Sequence, residues 1–415
     1  MNYHASQVYM IMAFLQSLAN STMFTTYAIF YIATLGLNPL ELLIVGMVLE
    51  VTVLIFEGIT GVVADTYSRR LSVIAGMFAL GAGFVLQGFI PSLETLTPLV
   101  GVFVWVLVSQ LICGIGYTFI SGADTAWVVD EVGTEKMGSL FLRAKSYSLM
   151  GTLLGIALSV GLSTLGTHLP YAVGGLLYLG LGLFLIFFMK EHRFVRPERT
   201  ADSSHWQEMK TTWLSGAKVI RREPMLLLIL VVTLFSGAAS EGYDRLWEAH
   251  LISEIGIPES HLSMAMWFGL IAAVSTFLSI FVVRVGERRL DMNNERVVMV
   301  GMFVLTFIRI AAILAFAFSP TFTWALVCLL LIGMLNSLTQ PLFDTWLNQN
   351  IESRVRATII SMMGQTDALG QTAGGPFVGW VGNRYSIRAS LVMAAILLSP
   401  ILLIFGRVLR KKTSR

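Results

Sequence analysis

Charge is what this chain has least of. Lys, Arg, Asp and Glu make up 13% of its 415 residues while 55% are hydrophobic, and an average soluble protein carries about 25% charge. A chain this poor in charge cannot clothe a soluble core, so its apolar surface belongs in lipid. Cysteine is nearly absent as well. Cys113 and Cys328 both fall inside apolar runs, where neither a disulfide framework nor a thiolate metal site finds support, so both read as packing residues. The six histidines His4, His168, His192, His205, His250 and His261 make no His-Glu-x-x-His pattern, no Gly-x-x-x-x-Gly-Lys-(Ser/Thr) loop occurs, and no nucleophile motif lies in a loop. ATP hydrolysis by a P-loop and zinc-hydrolase chemistry are thereby excluded, and neither a metal nor another cofactor is expected. An enzyme is not expected.

What is present is apolar length. Crossing a hydrocarbon core of roughly 30 Å takes about 20 apolar residues, and such runs recur at 8–35, 40–64, 71–90, 98–126, 142–166, 172–189, 225–250, 262–285, 297–318, 322–348, 357–380 and 387–408. The runs are continuous and rich in Leu and Gly rather than alternating, which excludes a β-barrel. The expectation is an all-α polytopic membrane protein of twelve transmembrane helices. The first run lacks a basic leader and a small-residue cleavage site, and holds Asn20, Thr22, Thr25 and Thr26, so it reads as the first span rather than a removable signal.

The basic residues set the orientation. Assigning loops alternately to two sides puts 24 of the 28 Lys and Arg on one side, leaving Arg384 and Arg388 opposite and Arg245 and Arg309 inside spans. The basic side is cytoplasmic by the positive-inside rule, so both termini are expected there, in a bacterial inner membrane. The net charge of +3 therefore signals topology and no nucleic-acid partner. The longest break separates spans six and seven and predicts three segments: a six-helix bundle over 1–190, a cytoplasmic linker over 191–223 and a second bundle over 224–415. In the linker, Ser204 and Gln207 have capping-box spacing, and Trp206, Met209, Trp213, Ala217 and Ile220 recur every three or four residues. That pattern predicts an amphipathic helix on the membrane surface, a solvated linker being the alternative.

The second half echoes the first. Asp124-Thr125 with Trp127 resembles Asp344-Thr345-Trp346, and Arg143-Ala144 with Met150-Gly151 resembles Arg356-Ala357 with Met363-Gly364. Their order and placement agree with two parallel six-helix repeats.

An ionisable group inside a span costs roughly 2.5 to 3.5 kcal/mol on insertion scales and faces a partner or a cavity. Glu50 and Glu57 lie seven apart on one face of span two, Glu50 near the midplane; Glu50 reads as a proton carrier or as a structural hydrogen-bonding group. Glu241, Asp244, Arg245 and Glu248 follow i, i+3, i+4 and i+7 spacing in span seven. They form an outer salt-bridge gate, a ligand or proton site, or static pairs. Arg309 and Asp367 both fall near mid-membrane, where their charges are opposite; Asp367 is the better cavity candidate and Arg309 the packing one. Gln16, Asn20, Tyr27, Gln110, Asn336, Gln340 and Gln365 stand at depths suited to lining a substrate cavity, though each is as readily structural.

The loop Gly61 to Arg70, GVVADTYSRR, resembles the pattern Gly-x-x-x-Asp-(Arg/Lys)-x-Gly-Arg-(Arg/Lys) between helices two and three of the major facilitator superfamily. Gly61, Asp65, Arg69 and Arg70 match, while Thr66 and Ser68 depart. The second-half counterpart keeps Gly286 and Arg288-Arg289 but has Arg284 in place of the acid. The resemblance implies a cytoplasmic gate whose Asp65 pairs with the opposing half in one state. Phe56-Glu57-Gly58, Ser121-Gly122-Ala123-Asp124 and Glu241-Gly242-Tyr243-Asp244-Arg245-Leu246-Trp247 are similar to bacterial drug:proton antiporters of the macrolide-efflux branch. Two departures weigh against proton antiport: Gln110 stands where such antiporters carry an Arg, and no Pro follows the glycines of span five. The resemblance implies a monomeric secondary transporter exporting amphipathic small molecules or drugs against protons by alternating access. An importer or uniporter of a small metabolite is the alternative, and a non-transporting membrane sensor or enzyme the remote one.

Overall fold

The computed structural model describes residues 4–97, 99–133, 137–194, 224–291, 294–350 and 356–413. In lipid each backbone N–H and C=O must be satisfied within its own segment, and the apolar runs accordingly fold as helices. They are α1 (Ala5–Phe24), α2 (Pro39–Thr66), α3 (Arg69–Gly88), α4 (Ile90–Leu96), α5 (Val102–Ile120), α6 (Ala123–Val132), α7 (Met137–Leu165), α8 (Leu169–Phe188), α9 (Pro224–His250), α10 (Met264–Arg289), α11 (Glu295–Ala317), α12 (Phe322–Asn350), α13 (Arg356–Arg384) and α14 (Ile387–Thr413). All but α4 and α6 have the length of a span. Among the described residues ten helical segments are long and apolar enough to cross a membrane. The long helices outside that set are α1 and α13, which are diluted by Gln16 and Asn20 and by Gln365, Asp367 and Gln371. The linker, with its expected amphipathic helix, lies outside the described residues.

Two expected spans are broken. The first ends at Phe24 and resumes as a π-helical turn over Ile29–Thr34. Thr22 and Thr25 donate to the carbonyls of Leu18 and Ser21 at 2.7 and 2.6 Å, back-bonding that bends helices, and Thr26 turns to Ser163 on α7 at 2.7 Å. The fourth stops at Ser121 because Gly122 takes a left-handed φ of 72°, which glycine adopts without steric cost. Its continuation, α6, runs to Val132 rather than ending near residue 126.

The chain divides into two compact units, one of Met1–Leu37, Val48–His205 and His261–Leu270, the other of Asn38–Met47, Trp206–Ser260 and Ile271–Arg415. Inside the first, α1 packs on α7 and α8, and α3 on α5 and α8; inside the second, α9 packs on α13 and α14, and α11 on α12 and α14. Counted as spans, the pairings 1–5, 1–6, 3–4 and 3–6 recur as 7–11, 7–12, 9–10 and 9–12. The Trp echo has the same logic. Trp127 is buried and donates to the Lys190 carbonyl beyond α8 at 2.9 Å, and Trp346 is buried edge-on to Phe405 of α14, centroids 5.7 Å apart.

Small residues bring the paired helices together, as is usual in membranes. A β-carbon on Gly155 of α7 would lie 2.6 Å from the Leu18 carbonyl of α1, and one on Gly374 of α13 would lie 2.6 Å from Ala238 Cα of α9. Backbone cannot yield there as a side-chain tip can. Gly374→Val is therefore expected to destabilise the protein by about 1–3 kcal/mol, read as a lower unfolding temperature in detergent. Gly61→Ala, where a β-carbon meets nothing within 4 Å, should leave that temperature unchanged.

Candidate functional site

Two charged clusters stand out, one in each unit. In the first unit Asp65, at the end of α2, and Arg69 and Arg70, at the start of α3, lie with three acids, Asp130, Glu131 and Glu191, that no sequence spacing groups with them. Ser68 caps α3 by accepting from Leu71 N at 3.1 Å, and donates to Glu191 Oε2 at 2.5 Å. The other oxygen of Glu191 accepts from Arg69 N and Arg70 N at 2.9 and 3.2 Å, a carboxylate on the positive end of a helix. Arg70 supplies the converse at the end of α8, donating to the carbonyls of Ile186, at 2.6 Å, and Met189. Arg69 bonds the Ala126 carbonyl at 3.2 Å and pairs with Asp130 of α6. Glu131 accepts from His192 N at 2.6 Å and Arg193 N at 2.9 Å.

Asp65 is the loosely held member. Its carboxylate is 3.6 Å from Arg69 and its side chain is 66% exposed. The other α2 acids are half-buried: Glu57 accepts from Ser121 Oγ at 3.4 Å, and Glu50 lies two turns before it.

The other sequence-derived candidates of this unit are engaged in helix packing. Gln110 donates to Tyr31 OH at 3.3 Å, Gln87 bonds the same hydroxyl, and Ser109 donates to Gln87 Oε1 at 3.2 Å. Gln87, Ser109 and Gln110 are buried, so the residue standing at the expected Arg position belongs to a neutral network of amides and hydroxyls. Gln87 was legible as a lone amide within an apolar run. Asn20 accepts from Tyr178 OH at 2.8 Å, Gln16 reaches Met77 Sδ at 3.8 Å, and the Tyr27 ring lies edge-on to Tyr31.

The second unit carries intramembrane charges of both signs. On α9, Arg245 Nε donates to Glu241 Oε1 at 2.9 Å. The backbone of Gly46, on the part of α2 that belongs to this unit, is so close to this pair that a β-carbon would stand 3.0 Å from Arg245 Nε. Glu241 and Glu248 are buried, Arg245 is half-buried and Asp244 is exposed. The charged neighbours of Asp244 are Arg309 of α11, Glu241, Arg245 and Asp367 of α13. Arg309 lies within electrostatic reach of Asp244 and Tyr243. Asp367 instead accepts from Gln371 at 2.8 Å and lies against the backbone of Gly237, where a β-carbon would come within 2.7 Å of its Oδ1. On α12, Gln340 is exposed and donates to Asp344 at 3.1 Å, while Asn336 is half-buried, as is Gln365 on α13.

A loop of this composition, two units with matching helix pairings, and ten apolar spans converge with the comparison to known sequences, in which residues 9–374 match the Major Facilitator Superfamily. The chain belongs to that superfamily. It is a multi-pass membrane transporter for a small-molecule substrate, similar over most of its length to the uncharacterized MFS-type transporter YxaM of Bacillus subtilis (strain 168), with 23% identity over 389 residues, 92% of this chain and 90% of that one. Among solved structures it shares its fold with the nucleoside transporter NupG, TM-score 0.73 at 15% identity, covering 98% of this chain and 99% of that one. A POT family transporter in complex with a thioalcohol-conjugated peptide gives a TM-score of 0.74 at 11% identity, covering 99% and 96%.

Two stability measurements follow from this geometry. Glu191→Ala should cost about 1–2 kcal/mol, as loss of a helix cap does, whereas Asp65→Ala should cost almost nothing because exposed pairs are worth little; equal shifts in thermal unfolding would refute the assignment. Arg309→Leu should destabilise by about 1–2 kcal/mol, toward the low end for a charged group left without its partner because Asp244 is open to solvent. Adding Asp244→Asn should restore most of that loss.

Proposed function

We propose that this transporter is proton-coupled and that it exports amphipathic small molecules by alternating access, with the charged cluster on α9, α11 and α13 as its coupling element. One observation carries the reading: Asp244 is exposed within a membrane-crossing helix. A carboxylate there is too costly to place against lipid and must face water. With Arg309, Glu241, Arg245 and Asp367 around it, gain or loss of one proton changes the balance of the whole cluster. Acids outnumber bases in this group, so a proton or a cationic substrate is the species it favours. Glu50 and Glu57 on α2 are the second candidates for proton transfer, and Gln340, Asn336 and Gln365 for substrate contact.

The remaining parts of the reading are consistent with this. Repeated helix pairings support two parallel six-helix repeats joined by the 191–223 linker. The basic-residue count supports cytoplasmic termini in an inner membrane, which puts the Asp65 loop on the cytoplasmic side as a gate. Among the described residues Asp65, at the end of α2, pairs with Arg69, at the start of α3, at 3.6 Å, and its exposure makes that pair weak enough to exchange for another partner. Export and the choice of amphipathic cargo rest on the likeness of GVVADTYSRR and the EGYDRLW segment to drug antiporters. Import or uniport of a metabolite is the second reading, favoured by Gln110 in its neutral network.

Inverted membrane vesicles with an imposed pH gradient test the proposal against a panel of dyes, macrolides, tetracyclines, nucleosides and peptides. Acid-inside vesicles should accumulate one class, and Asp244→Asn should abolish that accumulation while leaving substrate exchange at zero gradient. Accumulation undiminished in Asp244→Asn would sink the coupling assignment, and uptake only in right-side-out vesicles would decide for import.

A further inference from the structure

Away from the charged cluster, α11 and α12 leave an open apolar groove of about 530 Å³ between them. Its walls include Ala311 and Ala315 on one helix and Trp324, Val327, Cys328 and Leu331 on the other. Small residues on α11 make the trough and larger ones on α12 its flank. From Thr323 to Leu331 it runs about 12 Å along α12, most of one leaflet's share of a roughly 30 Å hydrocarbon core. Both helices are apolar enough to cross a membrane, and Trp324 and Val327 are exposed.

The mouth of the groove is charged. Phe318, which ends α11 between the lining residues Ala315 and Thr321, is exposed, and the Arg388 guanidinium stands 5.7 Å over its ring. Arg388 is exposed and makes no ion pair among the described residues. The nearby Glu254 is engaged elsewhere, accepting from Ile387 N at 2.9 Å and from Arg388 N at 3.3 Å, with His250 Nδ1 at 3.0 Å. Arg384 and Arg388 are the two basic residues that the charge count leaves on the side facing away from the cytoplasm. An apolar slot of leaflet depth, opening beside an unpaired guanidinium at an aromatic rim, has the chemistry of one lipid: tail below, anionic head above.

We infer that the α11–α12 groove is a binding site for an anionic phospholipid, one acyl chain lying against Ala311, Ala315 and Trp324 and the phosphate held by Arg388. The site uses no residue of the coupling cluster.

Native mass spectrometry of the full-length protein in mixed micelles tests it, with dioleoyl phosphatidylglycerol and dioleoyl phosphatidylcholine as probes. One phosphatidylglycerol should be retained in preference to phosphatidylcholine. Arg388→Gln should weaken that retention about fivefold, the effect of one basic group near an anionic surface. Ala315→Leu, which fills the trough while keeping the charge, should weaken it independently. Equal retention of the two lipids by the unaltered protein overturns the proposal without recourse to a variant. So does release of the lipid by millimolar inorganic phosphate, which would mark a free-anion site, or a dimer sealed through this face. Loss in Arg388→Gln with none in Ala315→Leu would remove the groove from the site.

Discussion

A charge carried into hydrocarbon must find an opposite charge or water, and this constraint organises the second unit. Five of its intramembrane groups, Glu241, Asp244, Arg245, Arg309 and Asp367, come from three helices, the other four lying within electrostatic reach of Asp244. The helices can approach closely enough for this because glycine supplies the space. Gly237 admits the Asp367 carboxylate and Gly374 admits the backbone at Ala238. Larger residues at those positions would separate α9 from α13 and leave the acids without their neighbours. Packing and electrostatics are therefore the same problem here, solved by the same residues.

The first unit meets the constraint differently. Where α9 and α13 carry carboxylates, α1 with the turn that follows it and α7 with the loop that leaves it carry hydroxyls: Ser17 and Ser148 meet at 2.5 Å, Thr26 meets Ser159 at 2.9 Å, and Thr34 meets Thr167 at 2.7 Å. Its buried amides Gln87 and Gln110 share the Tyr31 hydroxyl. Neutral hydrogen bonds of this kind hold helices in register without responding to a proton. Apart from Glu50 and Glu57 on α2, its hydrogen-bonded charges gather at the ends of α3, α6 and α8, where Glu191 and Arg70 answer helix dipoles of opposite sign. Two units with the same helix pairings thus carry different chemistry.

Much of this was legible in the chain because lipid makes the code simple. Apolar length gave the helices, and the i, i+3, i+4, i+7 spacing of Glu241, Asp244, Arg245 and Glu248 put them together on α9. What the spacing could not give is which of them is buried, since that depends on α11 and α13. Arg309 and Asp367 share a depth and carry opposite charges, and depth alone does not show that Asp367 accepts from Gln371 while Arg309 lies within electrostatic reach of Asp244. The breaks at Thr25 and Gly122 escaped a reading based on hydropathy because hydroxyl back-bonding and a left-handed glycine barely alter it. Glu191 was hidden for another reason. It lies 122 residues from Arg69, and no periodicity connects a helix start to the end of a different helix.

The loop signature itself gains a more specific physical meaning. Of its charges, Arg69 and Arg70 engage Asp130, the Ala126 carbonyl and the end of α8, so they fix the segment to its own unit. Asp65 contributes little to that anchorage, at 3.6 Å from Arg69 and mostly exposed. An acid that its own unit does not need, projected from a frame that three other acids hold rigid, can exchange partners at low cost. The second-half copy keeps Gly286 and the Arg288-Arg289 pair, has Arg284 where the first half has Asp65, and carries Glu287 between the glycine and the arginines. The two segments thus differ in where the carboxylate stands, Asp65 at the end of α2 and Glu287 in the last turn of α10.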